Sequence, residues 1–209
     1  MISEFLTLKQ NAEYTVVEKK SRFIGAAAPV TSEREAVAFI EAARLRHRDA
    51  RHHVYAYVIN DGGVIGQRCS DDGEPQGTGG IPVLDVLRKQ KIVNAVIVVT
   101  RYFGGVLLGA PGLVRAYGKA AALAAEEAGL VRMRLYVPLR ITVDYSLYGK
   151  LINYFEPLGI SQEPPLFQER VTAVFPVPAD TVERHLAAVA DLSCGQAETE
   201  IGDKRYYPG

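Results

Sequence analysis

Cysteine is scarce: Cys69 and Cys194 are the only two in 209 residues. They stand far apart and at no metal-ligand spacing. That excludes a disulfide framework and fits a reducing, cytoplasmic setting. Net charge is lacking too. Lys+Arg and Asp+Glu balance at 24 each, so bulk charge gives nucleic-acid binding no support, and any such role falls to a local patch. No apolar run is long enough to span a bilayer, so no membrane role is expected. Residues 1–6 show no basic region followed by an apolar core, hence no readable signal peptide. Internal repeats and low-complexity segments are missing as well. What is present, 48% hydrophobic and 23% charged residues, suits one large soluble domain or two small ones.

The most distinctive stretch is residues 95–117. Ala95-Val96-Ile97-Val98-Val99 is short, β-branched and uncharged, and reads as a strand buried on both faces. An Ala-rich helix is expected from about 113 to 128, opening near Pro111. Between them lie Arg101, Tyr102, Phe103, Gly104, Gly105 and Gly109, with Arg115 just beyond. A strand, a Gly-rich turn and a helix N-terminus can hold an anion or a partner's backbone; the plainer reading is a tight connection whose glycines serve packing. Ala110-Pro111 stand where a Walker A loop needs Lys and Ser/Thr, and the glycine spacing is not GxGxxG, so both nucleotide fingerprints are rejected.

A second polar stretch, 68–82, lies between an expected strand (64–68) and an expected helix (81–89). It carries Asp71, Asp72, Glu74, Gly77 and Thr78. Paired carboxylates suit Mg²⁺ or acid–base work, while Asp-Gly and Glu-Pro are also ordinary turn chemistry. No further ligand follows at a recognisable spacing, so no metal or other cofactor is expected. The carboxylates are expected to accept bonds from the glycine loop or to pair with Arg101, with Asp72 as its partner. Thr78 is placed to cap the next helix. No nucleophile–base–orienter set is visible around Cys69, Ser70 and His52, which argues against an enzyme.

Elsewhere the patterning gives strands over 14–17 and 21–27 with Lys19-Lys20 as the turn. A helix to about residue 45 is capped by Thr31 or Ser32, with Glu35 completing a capping box. A hairpin follows, over 54–59 and 64–68. The dense cations Arg44, Arg46, His47, Arg48 and Arg51 read as a solvated helix C-terminus. Past a boundary near 132–134 the order is strand (136–143), helix (147–155), short strand (160–163), strand (171–175), helix (182–189) and strand (197–201). That βαββαβ order is ferredoxin-like. The tail, 203–209, is expected to be loose.

The motifs Ser70-Asp71-Asp72-Gly73-Glu74-Pro75 with Gly77-Thr78, and Thr100-Arg101-Tyr102-Phe103-Gly104-Gly105 with Leu108-Gly109, resemble the signatures of the IMPACT/YigZ family. Residues 19–24, His52 in the stretch 49–57, and Arg115-Ala116-Tyr117 extend the similarity over nearly the whole chain. Val54 and Ala110-Pro111 depart from the usual pattern, and the first argues against an essential thiol there. The resemblance implies an α+β protein. Its first domain (1–132) is like the second domain of a small-subunit ribosomal protein, a βαβ-containing sheet with helices on one face. Its ferredoxin-like second domain (135–209) is like domain five of elongation factor G. Relatives with an added module act in translational control through a regulator of an initiation-factor kinase; that partner is not carried over to this chain. Some bacterial relatives are labelled peptidases, which no zinc or metal-pair ligand set here supports. The expectation is a binding protein contacting RNA, the ribosome or a translation-regulatory protein, with Arg101 and Arg115 meeting anions. The alternatives are an enzyme on a small phosphorylated or nucleotide substrate, and an interaction module with purely structural glycines.

Overall fold

The computed structural model describes residues 3–208. The chain divides into two compact units, Phe5–Arg132 and Met133 onward, the latter including Ser3 and Glu4.

In the first unit, β1 (Glu4–Leu8) precedes a five-stranded antiparallel sheet. Its strands are β2 (Ala12–Glu18), β3 (Ser21–Pro29), β4 (His52–Asp61), β5 (Val64–Ser70) and β6 (Ala95–Tyr102), in the order β2-β3-β6-β4-β5. The helices are α1 (Glu33–Arg46), α2 (Gly80–Lys89) and α3 (Ala110–Ala128). The uncharged run expected to be a strand buried on both faces is β6, and it is central. Val96 and Val98 pack with Ala28, Tyr57 and the α1 residues Ala36, Ile40 and Ala43. The opposite face meets α3 so closely that a Cβ on Gly25 would lie 2.5 Å from Ala120 O. Helices therefore cover both faces, not one: a central strand apolar on both sides needs cover on both. The βαβ units are split, because β6 lies between β3 and β4 and pairs antiparallel with each. At the start of α1, Ser32 Oγ accepts from Glu35 N at 3.3 Å, and the Glu35 carboxylate accepts from Thr31 N at 2.7 Å, so both expected cap residues are used.

The second unit comprises β7 (Leu130–Val143), α4 (Tyr145–Phe155), β8 (Leu166–Phe167), β9 (Val171–Pro178), α5 (Val182–Ser193), β10 (Glu198–Ile201) and β11 (Arg205–Pro208). Its antiparallel order β10-β7-β9-β8 follows the βαββαβ ferredoxin-like plan. Alternation is strict along β9, which buries Val171, Ala173, Phe175 and Val177; the last three join Leu151 and Phe155 of α4 and Val189 of α5 in one core cluster. Two expectations fail. Residues 160–163 form no strand; the short edge strand lies after Pro164-Pro165, at β8, because Pro donates nothing to a ladder. The tail is not loose, since β11 pairs with β7 through Arg205↔Tyr136 to Pro208↔Met133; residue 209 lies outside the described residues. No helix among the described residues is long and apolar enough to cross a membrane.

Candidate functional site

Register brings the two signature stretches together at one end of the first unit's sheet. Arg101 on β6 pairs with Phe23 on β3 and with His52 on β4. Above them lies the loop from Ser70 to Gly80. Its three carboxylates point three ways.

Asp71 accepts from Gly77 N (2.8 Å), Gly79 N (2.9 Å) and Gly80 N (2.8 Å). It thus satisfies the open N–H groups at the start of α2. Burial would raise its pKa, but the three backbone bonds together hold it below the usual carboxylate range. Asp71 does the capping expected of Thr78, whose buried hydroxyl donates to Pro75 O at 2.7 Å inside the turn. Asp72, at φ +46°, turns back over β4. Its carboxylate accepts from Arg44 (2.9 Å) and from His53 N (2.6 Å). The expected Asp72–Arg101 pair therefore does not form, and Arg44 is not merely part of a solvated helix end. The left-handed turn at Asp72 aims its side chain at α1 and leaves Glu74 to reach inward.

Glu74 is the partner of Arg101. One carboxylate oxygen accepts from Arg101 Nη1 at 2.6 Å and from Tyr117 Oη at 2.7 Å. The Arg101 and Glu74 side chains are 8% and 4% exposed. The guanidinium lies 5.4 Å from the ring centres of both Phe23 and Phe103, and Phe23 meets Tyr117 edge-on at 5.1 Å. Burial, then the bond to Glu74, pushes the Tyr117 phenol far above its ordinary pKa. An Arg101 so enclosed is a structural cation, not the free anion contact the sequence suggested. Tyr117, eight positions after the loop's last glycine, Gly109, was visible in the sequence only as part of a matching tripeptide; its role needs the fold.

Beside this network, and bordered by Arg101 itself, lies a cleft of about 490 Å³ lined also by Asp49, Arg51, His52, Tyr102, Phe103 and Leu107. His52 Nδ1 lies 2.9 Å from Asp72 O. A carbonyl only accepts, so Nδ1 carries the proton and Nε2 of the neutral ring is the acceptor. Tyr102 Oη meets His47 Nδ1 at 3.1 Å, and its ring is covered by Arg22 at 4.5 Å. Burial, then Arg46, His53 and Arg22, lower the His47 pKa. Phe103 and Leu107 remain 57% and 82% exposed.

The loop that carries them is anchored at Gly104. Its N–H donates to the buried Ser21 Oγ at 3.1 Å, and a Cβ there would stand 2.0 Å from the Lys20 carbonyl carbon. Gly105 and Gly109 follow at φ +83° and +71°, and Gly109 caps α3. Arg115 is exposed and lines a different hollow, with Lys19, Leu108 and Lys119. It does not share the Arg101 cleft. The Cys69 thiol is raised by burial first and Asp71 second, away from the reactive thiolate form. Among the described residues no three His, Cys, Asp or Glu side chains are grouped to hold a metal.

Comparison with known proteins bears on both units. Residues 19–125 match the Impact N-terminal domain, and residues 141–196 match a domain of unknown function, DUF1949. The chain is 34% identical over 206 residues to the IMPACT family member YvyE of Bacillus subtilis, covering 99% of this chain and 94% of that one. It is 48% identical over 112 residues to the IMPACT family member YigZ of Escherichia coli, covering 51% of this chain and 54% of that protein. Protein IMPACT of Homo sapiens is 30% identical over 98 residues, which is 45% of this chain and 30% of the human protein. A solved structure described as a hypothetical protein is 31% identical, with a TM-score of 0.63 over 95% of this chain and 97% of that one.

Proposed function

The chain belongs to the IMPACT family, and on that premise we propose that it is a binding protein associated with translation or its regulation, which contacts RNA through the cleft beside β6. The observation that carries this reading is Phe103. Its ring is held out to solvent although the residues on either side, Tyr102 and Gly104, are fixed to buried or packed partners. A rigid, exposed aromatic is a stacking platform for an unpaired base. Arg51 in the same cleft, and the exposed Arg48 that precedes the lining residue Asp49 in the chain, have no acidic partner among the described residues and offer phosphate contacts. The carboxylates that an Mg²⁺-dependent reaction would use are turned apart and engaged with Arg44, Arg101 and the glycine N–H groups, which weighs against catalysis.

Sedimentation of tagged protein from lysate at two salt concentrations, with and without ribonuclease, tests the reading. Co-migration with ribosomal particles that salt and ribonuclease abolish is expected. With single-stranded RNA, Phe103→Ala weakens binding about five- to a hundredfold, and Arg51→Gln lowers the salt dependence. Intact RNA binding by a folded Phe103→Ala protein would overturn it.

A further inference from the structure

A second hollow beside the same loop gathers cations that the cleft does not use. It measures about 190 Å³ and is lined by Val16, Glu18, Lys19, Leu108, Arg115 and Lys119, among others. Lys19 stands at the tip of the β2–β3 hairpin, while Arg115 and Lys119 lie one turn apart on α3. Like charges at that helical spacing repel one another. Among the described residues none of the three has an acidic partner.

The hairpin holds its lysine there against local preference. Lys19 and Lys20 have φ +44° and +66°, the two left-handed positions of a tight hairpin turn that Asn-Gly usually occupies. Gly104, packed on the Lys20 backbone, buttresses the turn from behind. A strained turn and a repelling pair, both facing one small hollow, make sense if a ligand's charge answers them.

From this convergence we infer that the Lys19–Arg115–Lys119 hollow is a binding site for a dianionic phosphoryl group. Three cations stand against one carboxylate, Glu18, so the hollow carries two positive charges in excess. That excess matches a phosphomonoester, which bears about −1.5 to −2 at neutral pH, better than the single charge of an internal RNA phosphodiester. Arg115 supplies a planar fork for two phosphate oxygens, and the lysines act as point charges around the rest. Such a group belongs either to a small phosphate ester or to the terminal phosphate of an RNA strand. The inference stands apart from the cleft reading, because none of its three cations lines the Phe103 cleft.

The test is an amide NMR titration of the full chain with inorganic phosphate above its second pKa, and with short RNAs bearing a 5′-phosphate or a 5′-hydroxyl. Saturable shifts confined to residues near 16–19 and 112–119 are expected. The Arg115→Gln/Lys119→Gln protein, altered only at exposed positions and melting as the parent does, loses at least about tenfold in affinity. Shifts with inorganic phosphate and with neither RNA assign the group to a small ester. Competition by the 5′-phosphorylated strand alone assigns it to an RNA terminus. No saturable shift with any probe, equal competition by the 5′-hydroxyl strand, or undiminished affinity in the double variant overturns the site. Phe103→Ala leaves phosphate binding here unchanged, so failure of the cleft reading and failure of this one are told apart.

Discussion

The two units solve the same problem, covering a sheet, in different currencies. The second uses the alternation of β9 and β7 and an apolar cluster centred on Phe155 and Phe175, stacked 4.0 Å apart. The first buries both faces of β6 and then runs a charged network through the end of the sheet, with Arg101, Glu74 and Tyr117 closed off from water. An apolar core tolerates substitution in proportion to volume. A buried charge network tolerates it only in matched sets, because removing one member strands the others. The difference teaches where function sits: Gly104, Gly105 and Gly109, the left-handed Lys19, Lys20 and Asp72, and the buried paired charges belong to the end of the first unit's sheet where Arg101 lies.

The sharpest way to test that contrast is a pair of lesions read by hydrogen exchange, unit by unit. Glu74→Ala is expected to destabilise the first unit by about 3–5 kcal/mol, because it leaves the Arg101 charge buried and unpaired. Removing the whole set together, as Glu74→Leu, Arg101→Met and Tyr117→Phe, restores most of that loss, because no buried polar group is then left without a partner. Phe155→Ala costs the second unit about 3–5 kcal/mol through the cavity it opens, whereas Phe155→Leu is far milder. If Glu74→Ala were as mild as a surface change, the charge network would not be what organises the first unit. Next in size is Asp71→Ala, which frees the Gly79 and Gly80 N–H groups at the start of α2 and that of Gly77 in the turn before it, and costs about 1–2 kcal/mol by urea denaturation. Lys20→Gly runs the other way. It relieves a left-handed lysine and stabilises the first unit by about 1 kcal/mol in the same assay.

The smallest effect treats the units alike. His47 and His185 both have their pKa lowered from 6.5, by burial first and then by Arg46 and Arg184 respectively. The unfolded chain then binds a proton at higher pH than the folded one. Stability present above about pH 6.5 is lost as the pH falls below it. Thermal melts across that range show the slope; His47→Gln flattens it in the first unit and His185→Gln in the second.

Much of the second unit was legible because its strands alternate and its helices space their leucines regularly; β11 was missed because Arg205-Tyr206-Tyr207-Pro208 has no alternating apolar pattern. In the first unit the strand at β6, the hairpin of β4 and β5 and the long helix α3 follow from apolar runs and turn residues. The residues of the candidate site were also visible as types, but their pairing was not. Which carboxylate meets Arg101 depends on the left-handed turn at Asp72, and the third member, Tyr117, sits 43 residues from Glu74 in the chain. Arg44 looked like one more cation at a helix end, and only the chain's path over β4 gives it Asp72.

Gly104 has a consequence for anyone who rebuilds this protein. The space for a side chain at that position is already filled by the Lys20 backbone. The hairpin tip and the loop are therefore one part, not two. A library that lengthens the 18–21 turn, or grafts a new loop over 104–109, must change both at once, since each is the mould in which the other is cast.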